Sequence, residues 1–166
     1  NDRTYSGQPD GTYVITEDTV PGWSLDTLVC VDGNENGTDS TEQGSTATIK
    51  LDPGETVTCT FQNDKLGSIR IIKDADPNSA QDFEFDVTAQ PAATMPASFQ
   101  LDDDGNTDDT DAPGTAADDD QLTNDRTYGD LLPGDYTVTE ATVDGWELGG
   151  LECVDSDAGG GDSSVQ

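Results

Sequence analysis

One stretch of the chain occurs twice. Residues 1–43, the leading repeat, align without a gap on residues 124–166, the trailing repeat, and 22 of the 43 paired positions are identical. The period is 123 residues, so the 166 residues span one period and about a third of another. Serial copies suit length and multivalency, and the repeat therefore favours a stalk, filament or adhesin over an enzyme.

The period divides the chain into parts of two units. We predict that residues 1–63 are the C-terminal part of one unit, that residues 64–66 are a short linker, and that residues 67–166 are the N-terminal part of the next. Neither part is complete in its own sequence order. The missing strands would come from chain beyond these residues, from a neighbouring copy, or from pairing of 1–63 with 67–90.

The chain is strongly acidic. It has 36 Asp and Glu residues against 6 Lys and Arg, no His, and a formal net charge of −30. This charge excludes binding to nucleic-acid backbones or to anionic lipid as a main role, because both need cations. No apolar run is long enough to cross a membrane. Three interpretations stay open: calcium binding, solubility in high salt, and dispersal of a surface polymer.

The three cysteines fit the repeat. We predict a disulfide between Cys30 and Cys59 within one unit. Cys153 is the repeat of Cys30, so its partner would lie beyond residue 166. A disulfide implies an oxidising, extracellular location, whereas reduced buried thiols in a cytoplasmic protein are the alternative. Only 31% of residues are hydrophobic, so a thin core would benefit from such covalent links.

Short alternating apolar runs indicate β-strands, and no stretch has a helical period of 3.6 residues. Pro53-Gly54 and Pro133-Gly134 are turn signals before strands. This pattern argues for an antiparallel sandwich. The predicted strands are residues 46–51, 55–63, 67–73, 82–89, 135–140 and 146–154.

An Asp-rich segment interrupts the strands. Ten of the 24 residues from 102 to 125 are Asp, and neither Lys nor Arg occurs between Lys73 and Arg126. Such a run has little apolar surface to pack. We predict a solvated loop over residues 90–125.

Several motifs, in this order and spacing, resemble collagen-adhesin B-type domains, also called SpaA-like or prealbumin-like domains, of Gram-positive pilins and surface adhesins. The resemblance implies an all-β, antiparallel, immunoglobulin-like (prealbumin-like) β-sandwich arranged as a tandem repeat. The paired cysteines are not part of the common pilin pattern, so this would be a disulfide-bearing variant. The motifs are Gly67-Ser68-Ile69-x-Ile71-x-Lys73, Phe83-x-Phe85, Leu132-Pro133-Gly134-x-Tyr136-x-Val138-x-Glu140, Gly145-Trp146 and Phe61-x-Asn63.

The resemblance implies an autocatalytic isopeptide bond between the first and last strands of a unit. The roles fall on Lys73 as the amine, Glu140 as the acid and base, and the repeat of Asn63 as the amide; Glu17 and Asn63 themselves belong to the preceding unit. Burial favours the neutral forms of an amine and a carboxyl group, as the reaction requires. The alternative is that Lys73 extends to solvent, Glu140 lies on a solvated face and Asn63 caps a turn.

Two Asp-rich stretches space oxygen ligands like the start of a calcium loop. Neither has Glu at the twelfth position, where Gln43 and Pro113 stand instead. Calcium is therefore an optional cofactor, and none is required. Asn36 also opens the sequon Asn36-Gly37-Thr38. The candidate ligands are Asp32, Asn34, Asn36 and Asp39, and Asp102, Asp104, Asn106 and Asp108.

An ordinary enzyme is poorly supported, because the chain has no His and its cysteines are better explained as a bridge. We expect Trp23 and Trp146 to be packing residues rather than carbohydrate-stacking ones. The predicted function is a structural repeat of an extracellular filament, pilus or adhesin stalk that assembles with copies of itself. The alternatives are a calcium-dependent ligand-binding adhesion module and a secreted halophile protein whose acidity is an adaptation to salt.

Overall fold

The computed structural model describes residues 2–33, 37–90, 95–104, 122–156 and 163–165, and these residues form strands and no helix. The strands are β1 (Gly11–Thr16), β2 (Trp23–Asp32), β3 (Thr41–Gln43), β4 (Thr46–Leu51), β5 (Val57–Lys65), β6 (Gly67–Ile72), β7 (Ser79–Gln90), β8 (Ser98–Asp103), β9 (Asp125–Leu131) and β10 (Asp135–Glu140).

The strands pair in four groups. Their orders are β1-β4-β3, β2-β5, β6-β9 and β10-β7-β8. The pairs β1–β4, β3–β4, β2–β5 and β7–β8 are antiparallel. The predicted fold class, an all-β antiparallel sandwich, is confirmed. Within the described part of the chain, no helix is long and apolar enough to span a membrane.

The chain divides into two compact units in space. One contains residues 1–71, 89–96 and 125–137, and the other contains residues 72–88, 97–124 and 138–166. This spatial division differs in kind from the sequence repeat, and the repeat units stay a prediction.

The junction between the two predicted parts is shorter than expected. β5 extends through Lys65 and β6 begins at Gly67, so two of the three residues of the predicted linker 64–66 belong to a strand. Leu66, between the strands, donates its backbone N–H to the carbonyl oxygen of Gly22 at 2.9 Å. The junction is therefore tied to the part of the chain that precedes it.

The second compact unit has its core between β7 and β8. Phe83 lies opposite Leu101 and Phe85 opposite Phe99 in the antiparallel register, and all four side chains are buried. The rings of Phe85 and Phe99 stack with centroids 5.2 Å apart. Alternation places these residues on one face of each strand. The core therefore depends on β8, a strand within the predicted loop.

The segment before the junction has a much thinner core. Among the described residues of 1–65, Ala47 is the only apolar residue that is buried. β2 and β5 instead form a long antiparallel ribbon with Cys30 opposite Cys59. A covalent link across such a ribbon compensates for scarce apolar burial.

One loop prediction and one strand prediction are wrong. The loop over 90–125 is interrupted by β8, because Phe99 and Leu101 alternate there and find a partner in β7. Residues 146–154 do not form a strand. Their repeat counterpart is nearly all of β2, which pairs with β5, whereas no strand in the described part of the chain pairs with residues 146–154. A strand needs a neighbour to satisfy its backbone groups.

The two repeats nevertheless share their local structure. The hydroxyl of Tyr13 donates to the carbonyl oxygen of Pro9 at 2.7 Å, and the hydroxyl of Tyr136 donates to that of Leu132 at the same 2.7 Å. These pairs occupy matching positions one period apart. Local sequence is thus sufficient for this corner in both repeats.

The turn before each tryptophan is also shared. The N–H of Trp23 donates to the carbonyl of Val20 at 3.1 Å, and that of Trp146 donates to Val143 at 3.0 Å. The glycine before each tryptophan has a positive φ, 78° and 86°. Only glycine adopts this conformation without strain. The backbone conformation before the indole ring is therefore the same in both repeats.

Candidate cross-linking sites

The first site joins the end of β6 to the end of β10. The Nζ atom of Lys73 lies 3.0 Å from Oε1 of Glu140, and the two side chains are 11% and 20% exposed. The backbone N–H of Lys73 donates to the carbonyl of Asn124 at 2.7 Å, which fixes where the side chain starts. A carboxylate therefore holds the amine that the family resemblance implies is the nucleophile.

Aromatic rings form the floor of this site. The Nζ atom of Lys73 lies 3.9 Å from the ring centroid of Phe83, which is 1% exposed. The ring of Trp146 meets Phe83 edge-on at 5.2 Å and 83°. Cation–π attraction stabilises the ammonium there, and the rings exclude water from one side of it. The ion pair thus lies on an apolar surface.

Phe83 is the residue of this site that the sequence does not single out. Its position in Phe83-x-Phe85 indicates only a buried strand face. Its place in the sequence could have identified it, because Phe83 lies on the next strand after the one that ends at Lys73, and that strand supplies the ring beneath the amine.

The second site lies in the segment before the junction. Asn63 of β5 donates from Nδ2 to Oε1 of Glu17, just after β1, at 2.8 Å. The other oxygen, Oε2 of Glu17, is buried and has no hydrogen-bond partner among the residues that the structure describes. A buried carboxylate oxygen without a partner is unfavourable and calls for a donor.

An open cleft of about 420 Å³ lies beside this glutamate. Trp23 forms part of its wall and is 48% exposed, a large fraction for an indole ring. The cleft is therefore lined both by apolar side chains and by the Glu17–Asn63 pair. The residues that line it are Glu17, Asp18, Thr19, Val20, Trp23, Ser24, Leu25, Ser45 and Asn63.

The two sites are related by the repeat. Glu17 and Glu140 occupy matching positions, and one contacts an amide whereas the other contacts an amine. Lysine, glutamate and asparagine together are the set that the resemblance requires. Each site holds two of the three, and the amide and amine sites are complementary.

The disulfide links the two strands of the ribbon. Cys30 and Cys59 are bonded, at a sequence separation of 29, and lie directly opposite each other in β2 and β5. Cys153, the repeat counterpart of Cys30, is a free and exposed thiol. The predicted bridge between Cys30 and Cys59 is thus present.

The candidate calcium ligands are only partly described. Asp32 accepts hydrogen bonds from the Oγ and N–H of Ser40 at 2.7 and 3.1 Å. Asp102 is buried next to Asp103, which accepts the N–H of Ala75 at 2.8 Å. No three His, Cys, Asp or Glu residues in the described segments are placed to hold a metal ion. Asp39 and Asp104 are described too; Asn34, Asn36 with its sequon, Asn106 and Asp108 lie outside the described residues.

Comparison with known families agrees with the all-β fold. The family model described as a prealbumin-like fold domain, of the SpaA type, matches residues 1–65 and residues 69–166. The chain belongs to this family. Its domains are structural, non-enzymatic modules of surface pilins and adhesins, which implies an extracellular location. No curated protein and no solved structure matched the chain.

Proposed function

We propose that this chain is a segment of the repetitive stalk of an extracellular filament, pilus or adhesin, in which each unit is closed by a Lys–Asn isopeptide bond and a disulfide. The two family matches meet near the predicted junction, at residues 65 and 69, which supports successive units in series. Its partners are copies of itself, and it turns over no substrate.

One observation carries the proposal. The repeat-related glutamates hold complementary reactants: Glu140 contacts the Lys73 amine at 3.0 Å and Glu17 contacts the Asn63 amide at 2.8 Å. Superposed by the period, the two pairs bring amine, carboxyl and amide together around one glutamate. Solvated strand-end residues would not be expected to pair in this complementary way.

The reaction forms one bond and breaks one. The lysine amine, neutral after passing a proton to the glutamate, attacks the side-chain carbonyl carbon of the asparagine. The carbon–nitrogen bond of the amide then breaks as the glutamate returns this proton to the leaving nitrogen, and the glutamate takes up the second proton that the lysine nitrogen loses. Ammonia leaves and a secondary amide remains. Because that amide joins the first and last strands of a unit, tension on the termini does not separate them.

The test supplies the missing third reactant. A copy of residues 44–65 is added after Gln166, and because the trailing repeat ends in phase with residue 43, the addition provides counterparts of Asn63 and Cys59. We expect the intact mass of the reduced, extended chain to be lower than its sequence mass by one ammonia. Tandem mass spectrometry should place the cross-link at Lys73.

Variants decide which groups act. Lys73→Arg keeps the positive charge but offers no attacking amine, and Glu140→Gln keeps the shape but not the proton transfer; both should abolish the mass loss. Glu17→Gln, at the matching position of the other repeat, should leave it intact. If the unsubstituted extended chain forms its disulfide on folding but has its full sequence mass after reduction, the isopeptide is removed from the account.

A further inference from the structure

Two antiparallel strand pairs of this chain differ in charge. β7 and β8 together contain five acidic residues and no basic one, whereas β1 and β4 contain one lysine, Lys50, and no acidic residue. The imbalance extends beyond the two strands, because residues 74–125 include 15 Asp or Glu residues and no Lys, Arg or His. The sequence therefore gives the β7–β8 pair no positive charge of its own.

The two basic residues just before this stretch are already paired. The Nζ atom of Lys73 lies 3.0 Å from a carboxylate oxygen of Glu140, and the Nε atom of Arg70 lies 2.7 Å from one of Asp125. Glu140 belongs to β10 and Asp125 to β9. Each of these cations therefore offsets a carboxylate outside the β7–β8 pair.

Carboxylates line the exposed face of β7. The phenylalanines of this strand are buried, so alternation places Glu84 and Asp86 on the opposite face, where both side chains are exposed. Their partners across the ladder are Gln100 and Ser98 of β8, which are neutral. Neighbouring like charges on one face of a sheet are destabilising. The exposed face of the pair thus contains repulsion that its own side chains do not offset.

Two further carboxylates lie inside the pair. Asp102 and Asp103, adjacent in β8, are 1% and 6% exposed. Asp103 accepts the backbone N–H of Ala75 at 2.8 Å, a hydrogen bond that brings no positive charge. Burial reduces the solvation of a charge, and like charges repel more strongly where the dielectric constant is low. Repulsion between carboxylates therefore acts inside the pair as well as on its exposed face.

The ionic strength of the solvent decides how strongly the exposed carboxylates repel one another. The screening length is about 8 Å at 0.15 M salt and about 3 Å at 1 M salt. Glu84 and Asp86 are two residues apart in a strand, a spacing of about 7 Å. This spacing lies within the first screening length and well outside the second. Molar salt therefore removes most of a repulsion that persists at low salt.

We infer that the β7–β8 pair is a salt-dependent element of the fold, stabilised by dissolved monovalent cations, and that it opens before the β1–β4 pair when salt is diluted. Because β7 supplies the ring beneath Lys73, opening of the pair also exposes the amine to water. The salt dependence goes beyond the proposed cross-link, since it is present whether or not that bond forms.

Hydrogen exchange, followed by mass spectrometry, compares the two strand pairs within one 166-residue molecule. Lowering sodium chloride from about 1 M to about 0.15 M should speed the exchange of β7 and β8 amides by about fivefold or more, after correction for the effect of salt on an unstructured peptide. Exchange in β1 and β4 should change by less than about twofold. Equal changes in the two pairs, or no change in either, would overturn the inference.

Neutral isosteres identify the carboxylates that act. Glu84→Gln combined with Asp86→Asn should slow the exchange of β7 and β8 at low salt and reduce the effect of added salt. Both side chains are exposed, so the core is unchanged. The control combines Asp10→Asn with Asp26→Asn, two exposed carboxylates before β1 and in β2, and should leave β7 and β8 as they were. An equal response to the control would overturn the inference, because net charge alone would then set the stability.

Calcium distinguishes screening from a bound ion. At about 0.15 M sodium chloride, about 5 mM calcium chloride adds little to the ionic strength but is sufficient to fill a calcium site of the affinity found in extracellular modules. We expect the exchange of β7 and β8 to stay unchanged. Protection equal to that in molar sodium chloride would overturn the inference in favour of a specifically bound calcium ion.

Discussion

The leading and trailing repeats have similar sequences and opposite patterns of burial. Val20 and Trp23 are 56% and 48% exposed in the leading repeat, whereas their counterparts Val143 and Trp146 are half-buried. The difference follows from β7 and Lys73, which cover this side of the trailing repeat. This side of the repeat is therefore packed only where β7 and Lys73 lie beside it.

The other side of the repeat shows the reverse. Leu25 and Leu28 are half-buried in the leading repeat, in the strand that pairs with β5. Their counterparts Leu148 and Leu151 are 58% and 55% exposed. Each repeat is therefore half-buried on the side where a strand from elsewhere in the chain lies beside it.

The contrast separates local from long-range determinants. The tyrosine hydroxyl hydrogen bond and the turn before each tryptophan form in the same way in both repeats, because their hydrogen bonds span only three or four residues. Strand formation in 23–32 and its absence in 146–154 depend instead on a partner far away in sequence. Backbone pairing, rather than propensity, decides the outcome there.

The largest expected effect is at the aromatic floor of the trailing repeat. Phe83→Ala removes a ring that is 1% exposed and that contacts both Lys73 and Trp146, so it should lower the free energy of unfolding by about 3–5 kcal/mol. Ile72→Ala, at an exposed position, is the control and should change it by less than about 0.5 kcal/mol. Denaturant unfolding followed by tryptophan fluorescence measures both. Equal effects would contradict a core in this region.

The disulfide is expected to be nearly as important for the segment with the thin core. Replacement of Cys30 and Cys59 by Ser opens a loop with a sequence separation of 29, which should cost about 3–4 kcal/mol in the chain-entropy account. Cys153→Ser should have no effect on stability, since that thiol is free and exposed. Chemical denaturation of the three proteins compares them. A stable Cys30/Cys59 variant would show that the ribbon needs no covalent link.

The tryptophan pair tests the comparison directly. Trp146→Ala removes a half-buried ring and its edge contact with Phe83, and should cost about 2 kcal/mol. Trp23→Ala removes a ring that is 48% exposed and should cost about 1 kcal/mol or less. Thermal unfolding of both variants as monomers gives the difference. Similar costs would mean that the two repeats are covered to the same extent.

The smallest expected effect concerns a surface charge pair. Arg70 contacts Asp125 at 2.7 Å, but the arginine side chain is 59% exposed. Arg70→Ala should therefore lower stability by less than about 1 kcal/mol. The loss should shrink further in high salt, because exposed charges are screened. A larger, salt-independent loss would show that charge pairs contribute to the stability of these repeats as much as strand neighbours do.

Much of the fold was accessible from alternation in the sequence. The prediction matched the bounds of β4 and β10 and came within a few residues of those of β5, β6 and β7. β8 was not predicted, because Phe99 and Leu101 lie beside a run of Asp residues that indicates a solvated loop. β1 and β2 were not predicted, although residues 146–154, the repeat of most of β2, were predicted to form a strand. The sequence contains the alternating pattern but does not show whether a partner strand lies beside it.

The site was predictable to a similar extent. Lys73, Glu140, Glu17 and Asn63 came from the family resemblance, and the structure places them in two pairs. Pairing of each glutamate with a different reactant could not be predicted, because it depends on which strands lie beside each repeat. The open cleft could not be predicted either, because exposed apolar residues form it and no motif marks them.

Hydrogen exchange on the extended chain tests the central claim that neighbours, and not the repeat sequence itself, determine which half of each repeat is structured. Addition of residues 44–65 after Gln166 gives residues 146–154 a counterpart of β5. We expect their backbone amides to exchange freely in the 166-residue chain and predict that they become protected to the level of β2 in the extended chain. Amides of 146–154 that exchange as fast in the extended chain as before would contradict the account.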